Sequence, residues 1–295
     1  MKYSIFILLI IGLISLTYAE APTGLAFLKI ARDGRSAGRG ETGGFAGDEL
    51  SGWSNPAAIA GIERRAVSVT HLRWIQDVEV NYLQAAIPTK YAPVGFFVLS
   101  TGVDNIEVRS VPSPQPESYI DSRDLAMGMT LAKMIGSRVS LGVNVVYVHE
   151  HIYYEDTDGW AGDFGGIYRF SDHFRAGVSV LHWGKMSAML AERPELPATV
   201  NFGGEYCFRS EKVGAVTVAA GGNAVREGDW RGNLGVEWQP VQMIALRAGY
   251  LFNYDDRGMT AGLGAVWKNF RFDYAYTPFG NELGDVQRFG VGVEF

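Results

Sequence analysis

The 295-residue chain has a single cysteine, Cys207. That count excludes an intramolecular disulfide framework and any zinc site built from cysteines. Blocks of lysine and arginine are also missing, and the formal net charge is −6. Without a basic run to neutralise phosphates, nucleic acid is disfavoured as a partner. Long apolar runs are scarce. The exception, Ile5 to Leu16, follows Lys2 and leads into Thr17-Tyr18-Ala19. This is the pattern of a secretory signal over residues 1–19, cleaved after Ala19. It falls short of the ~20 apolar residues that a membrane helix needs. No later stretch could cross as a helix, so an exported chain of this kind enters a membrane only as a closed barrel.

Glycine, in contrast, is plentiful at 37 residues, and aromatics make up 13%. Both suit a chain that turns often and places aromatic girdles at two interfaces. From about Arg65 onward the dominant period is two. Leu125, Met127, Met129 and Leu131 alternate with Asp124, Ala126, Gly128 and Thr130. Trp230, Leu234, Val236 and Trp238 oppose Arg231, Asn233, Gly235 and Glu237, and the last segment sets Phe289, Val291, Val293 and Phe295 against Arg288, Gly290, Gly292 and Glu294. Successive strand side chains point to opposite faces, so each segment has one greasy face and one small or polar face. Greasy faces that finish on Trp238, Trp267, Tyr250 and Phe170 place aromatics where a membrane interface wants them.

Sandwiches alternate too, and the connections decide between the two. Tight turns near residues 89–90, 136–137, 171–172, 209–212, 239–242 and 268–269 take turns with more polar connections. The latter cover residues 105–122, 149–158, 185–196, 225–229, 253–257 and 278–285, several of them long. Short turns at one end and longer loops at the other mark an outer-membrane barrel. The pattern predicts an all-β, transmembrane antiparallel barrel of roughly fourteen strands over residues 62–295. The closing stripe Phe289, Val291, Val293 and Phe295 resembles the signal by which such barrels are recognised for insertion. Residues 20–61 carry little alternation and are too many for an idle connection.

Within that stretch stand Phe27-Leu28-Lys29-Ile30, Gly34-Arg35-Ser36-Ala37-Gly38, Gly43-Gly44-Phe45, Asp48 and Trp53-Ser54-Asn55-Pro56-Ala57. These residues resemble the opening of the PorV/PorQ outer-membrane proteins, a branch of the FadL-like barrels. The resemblance implies a fourteen-stranded barrel whose lumen holds a small hatch, here residues 20–61, with Asn55, Pro56 and Ala57 as the hatch motif. It also implies a non-catalytic part in type IX-like protein secretion or surface attachment. Secreted cargo or secretion-system subunits would then meet the outer loops, residues 105–121, 149–159 and 185–197. The alternative is a FadL-like channel for hydrophobic small molecules with the hatch as gate; a purely structural or adhesive barrel is a third reading. One feature departs from the family: Arg39-Gly40-Glu41 occupies a glycine-rich turn that commonly holds an apolar residue.

Other candidates for chemistry are weaker. Gly38-Arg39-Gly40-Glu41-Thr42-Gly43 fits G-x-G-x-x-G but lacks the strand before and the helix after that a dinucleotide site requires. His149-Glu150-His151 with Asp156 and Asp158 reads as a polar outer loop rather than a metal site, since a downstream bidentate acid is missing. No nucleophile elbow or convincing Ser/His/Asp set occurs, and no cofactor is expected. Charges in the inward phase are better functional candidates: Asp124, Glu205, Arg231, Glu237, Arg247, Arg271, Asp273 and Arg288. Their plainer role is to pair across the wall and hold the lumen together.

Overall fold

The computed structural model describes residues 25–45, 51–189, 193–226 and 228–295. The expected secretory signal, residues 1–19, lies outside the described residues. Fourteen strands close into one antiparallel barrel. They are β1 (Ala66–Arg73), β2 (Glu79–Ile87), β3 (Val94–Val108), β4 (Ser118–Ile135), β5 (Val139–Ile152), β6 (Glu155–Arg169) and β7 (Phe174–Met186). The second half comprises β8 (Thr199–Ser210), β9 (Gly214–Val225), β10 (Trp230–Val241), β11 (Ile244–Phe252), β12 (Met259–Trp267), β13 (Phe270–Pro278) and β14 (Asp285–Glu294). β14 pairs with β1 from Ala66↔Glu294 to Arg73↔Gln287, and this pairing shuts the ring. Closure removes the edges, so every strand finds partners on both sides, as hydrocarbon surroundings demand.

Alternation in sequence becomes alternation between lipid and lumen. On β10, Leu234, Val236 and Trp238 are exposed while Asn233 and Glu237 are buried. Outward aromatics form two belts. Trp160, Trp183 and Trp230 mark the end with the longer connections; Phe170, Trp238 and Trp267 mark the other. Of two expected outer loops, residues 105–122 are half strand and residues 149–158 largely so. β3 and β4 stay paired to Val108↔Ser118, and β5 and β6 to Ile152↔Glu155. The second connection is then only Tyr153-Tyr154, with Tyr153 in the left-handed region at φ 64°. Backbone ladders do not require lipid, so polar residues continue the period of two above the membrane. His149 and His151 accordingly sit on the outward face of β5, within hydrogen-bond distance of Asp158 and Asp156 at 2.8 and 2.7 Å.

The stretch before β1 runs inside the ring. A short helix, α1 (Gly34–Gly38), starts at Asp33, whose carboxylate accepts the Ser36 N–H at 2.6 Å as an N-cap. α1 packs on β11 to β14, and a 3₁₀ turn over Pro56–Gly61 packs on β4, β5 and β6. The lumen is therefore the protein's core.

Candidate functional site in the barrel lumen

The segment is seated where the wall has no side chains. At Gly142 a Cβ would lie 2.3 Å from the Pro56 carbonyl carbon, and at Gly165 a Cβ would lie 2.0 Å from Asn55 Oδ1. Across the lumen, a Cβ at Gly235 would stand 2.0 Å from the Arg39 carbonyl oxygen. Gly40 meets the same wall with φ at 71°, a conformation and a closeness that together demand glycine. Asn55 is completely buried. Its Oδ1 accepts the Ala57 N–H at 3.0 Å, while Nδ2 donates to the Gly44 carbonyl at 2.9 Å and the Val178 carbonyl at 3.3 Å. Pro56 opens the 3₁₀ turn, where its missing N–H costs nothing. Asn55, Pro56 and Ala57 thus connect the segment to itself and to β7.

Ion pairs join α1 and its flank to the wall. Arg35 grips Glu237 with two bonds, Nε–Oε2 at 3.0 Å and Nη2–Oε1 at 2.8 Å. Arg39 is buried and reaches Glu205 at 3.4 Å. Both glutamates also hold a wall arginine: Arg175 Nε donates to Glu205 at 2.6 Å, and Arg247 Nε to Glu237 at 2.7 Å. Arg247 continues to Asp273 at 2.7 Å, and Asp273 meets Arg271 at 2.9 Å. Of the eight inward charges singled out in the sequence, Glu237, Arg247, Arg271 and Asp273 therefore form one network with Arg35, and Glu205 forms a second with Arg39 and Arg175. Arg288, fully buried, donates instead to the Ala31 carbonyl and Thr277 Oγ1, both at 3.0 Å. Arg231 lies over the Tyr254 ring at 4.7 Å. Asp124 stands apart near the outer end, where it accepts from Thr101 at 3.0 Å.

The half of the lumen nearer the longer connections is different. Leu72, Val80, Leu99, Val146, Val148 and Val286 point inward and are completely buried. Leu25, Phe27, Leu28 and Ile30 of the segment pack among them in one apolar cluster. Each such side chain contributes roughly 1.5–3 kcal/mol through burial. Below them, the Arg32 guanidinium lies 3.6 Å from the centre of the Trp53 ring and donates to the Leu28 carbonyl at 2.6 Å. Burial lowers its pKa to about 9, so it still enters the lumen as a cation at neutral pH. A cavity of about 100 Å³ beside it is bordered by Asp33, His182, Asn201, Arg231 and Tyr254.

Sequence reasoning missed the inward apolar residues. Their signal is a break in alternation: Val143 to Val148 is apolar at five of six positions, as a strand buried on both faces would be. Arg35 belongs to the family-like stretch, and nothing local in the sequence ties it to a glutamate 202 positions away.

The architecture has counterparts among solved structures. The toluene transporter TbuX of Ralstonia pickettii superposes with a TM-score of 0.62 over 88% of this chain and 97% of its own, at 13% identity. The fold is that of the FadL-like outer-membrane barrels. The monoaromatic hydrocarbon channel CymD gives 0.60 at 12% identity, covering 92% of this chain and 98% of its own. The toluene transporter TodX of Pseudomonas putida gives 0.58 at 13% identity, covering 90% and 97%. At such identities the likeness speaks for the FadL-like fold alone. No family model and no curated protein matches the chain. The narrower PorV/PorQ resemblance rests on residues 24–61.

Proposed function

We propose that this FadL-like barrel is a channel for small hydrophobic molecules, with the lumenal N-terminal segment as its hatch. The observation that carries the reading is the apolar lining of the outer half. Outer-membrane barrels ordinarily have polar interiors, and a water-filled pore gains nothing from buried Leu72, Val80, Leu99, Val146, Val148 and Val286. An apolar solute entering from outside gains from the same surface what Leu25 to Ile30 now gain. In the closed state the chain's own side chains fill the lane; displacement of the segment frees it. The hydrocarbon channels that share the fold support the same direction. The secretion role implied by the PorV/PorQ resemblance has only the N-terminal residues behind it.

Deleting residues 20–61 tests the proposal in proteoliposomes. Uptake of a hydrophobic dye should rise severalfold over the full-length chain. Unchanged uptake from a correctly closed barrel, together with secretion subunits recovered by affinity purification from outer membranes, would transfer the case to the secretion reading.

A further inference from the structure

At the end of the barrel with the short connections, a cavity of about 390 Å³ opens between the turn after β6 and strands β8 to β10. Its charged lining is lopsided. Arg35, Arg39, Arg169, Arg175 and Arg209 face three carboxylates, Asp172, Glu205 and Glu237, an excess of two guanidinium groups over carboxylates. The two glutamates are already committed. Glu205 is shared by Arg39 and Arg175, and Glu237 by Arg35 and by Arg247 behind it. Arg169 and Arg209, at the ends of β6 and β8, make no ion pair among the described residues. Two guanidinium groups without counter-charge thus border a concave site whose walls already concentrate positive potential.

We propose that this mouth is a binding site for a phosphoryl dianion. Guanidinium groups present paired donors that match tetrahedral oxyanions bidentately. A dianion equals the charge excess, whereas a carboxylate monoanion leaves half of it uncompensated. Bound there, the anion bridges Arg169 and Arg209 of the wall to Arg39 of the segment, and so adds to the contacts that hold the segment in place. The site is separate from the apolar lane and stands whether or not hydrophobic solutes pass.

Isothermal titration of the full-length protein in detergent tests this, with inorganic phosphate, a sugar phosphate and acetate compared at matched ionic strength and mildly alkaline pH. Saturable phosphate binding is expected, with acetate at least about tenfold weaker. A tighter sugar phosphate would identify the organic source, a tighter inorganic phosphate the free ion; either supports the site. The double variant Arg169→Gln/Arg209→Gln should weaken binding about tenfold or more, with its thermal midpoint in phosphate-free buffer unchanged. Arg123→Gln, at the opposite end of the barrel beside Asp104, should bind as the parent does. Non-saturable heats, equal responses to phosphate and acetate, or unaltered affinity in the double variant would overturn the proposal.

Discussion

Replacing Gly142 and Gly235 together by alanine should unseat the N-terminal segment while leaving the barrel closed. At each position the nearest atoms to an added Cβ belong to the segment: Pro56 C at 2.3 Å and the Arg39 carbonyl oxygen at 2.0 Å, against ordinary contact at 3.4–4 Å. Overlaps above 1 Å with backbone cannot be relieved by a rotamer change. Overpacking of this kind costs about 1–3 kcal/mol per site, and the two sites lie on opposite walls, so the costs add to about 2–6 kcal/mol. At about 1.4 kcal/mol per decade, the seated-to-unseated ratio falls roughly 30-fold to 10⁴-fold. The wall strands keep their ladders on both sides, so the segment is the part that yields. Tryptic cleavage at Arg35 and Arg39 in the purified protein should accelerate accordingly, and hydrophobic-dye uptake in proteoliposomes should rise with it. Gly166→Ala supplies the control, because its Cβ would meet Leu141 at 3.6 Å and the Ser140 carbonyl oxygen at 3.9 Å, both ordinary contacts outside the segment. Double-variant cleavage and uptake equal to those of Gly166→Ala would refute the seating argument.

Removing Glu237 should harm the protein more than removing its partner on the segment. Glu237→Gln leaves both Arg35 and Arg247 short of a carboxylate, and Arg247 is buried; a broken buried pair costs about 3–5 kcal/mol. Arg35→Gln leaves Glu237 on Arg247, so its loss in thermal midpoint should be the smaller of the two; the opposite order would contradict the network. Val148→Asn places an amide in the apolar lane and should slow hydrophobic-dye uptake severalfold in a background lacking residues 20–61, from which Leu25, Phe27, Leu28 and Ile30 have been removed. An unchanged rate would remove Val148 from the path. The closed ladder should also keep the unheated protein folded in dodecyl sulfate, so that boiling shifts its electrophoretic migration; identical migration would contradict closure.

The strands were legible because lipid imposes its demand on one face of each. Runs such as Trp230 to Trp238 and Phe289 to Phe295 write that demand directly into every second position. Strand ends were harder to read. Above the membrane the outward residues turn polar, so His149, His151 and Asp158 looked like loop although the ladder runs on to Ile152. The lumen was legible in part. Inward phase identified Glu205, Glu237, Arg247 and Asp273 as interior charges, but partners come from strands far apart in sequence, and those supplied by the segment are farther still. Arg39 stood out as a charge inside a glycine-rich turn; the structure accounts for it through Glu205, 166 positions downstream. Apolar inward residues escaped notice because they fall in strands whose outward faces are apolar as well, which erases the contrast on which alternation depends.

A competition between two solutes separates an apolar lane from a water-filled pore. Cells carrying the protein in their outer membrane would be given a small neutral aromatic hydrocarbon and a sugar of similar size, and entry of both would be timed against cells lacking it. An apolar lane closed to water predicts faster entry of the hydrocarbon alone, with a further rise in the Gly142→Ala/Gly235→Ala variant. Equal acceleration of the sugar, or no acceleration of the hydrocarbon in either form, would contradict the account.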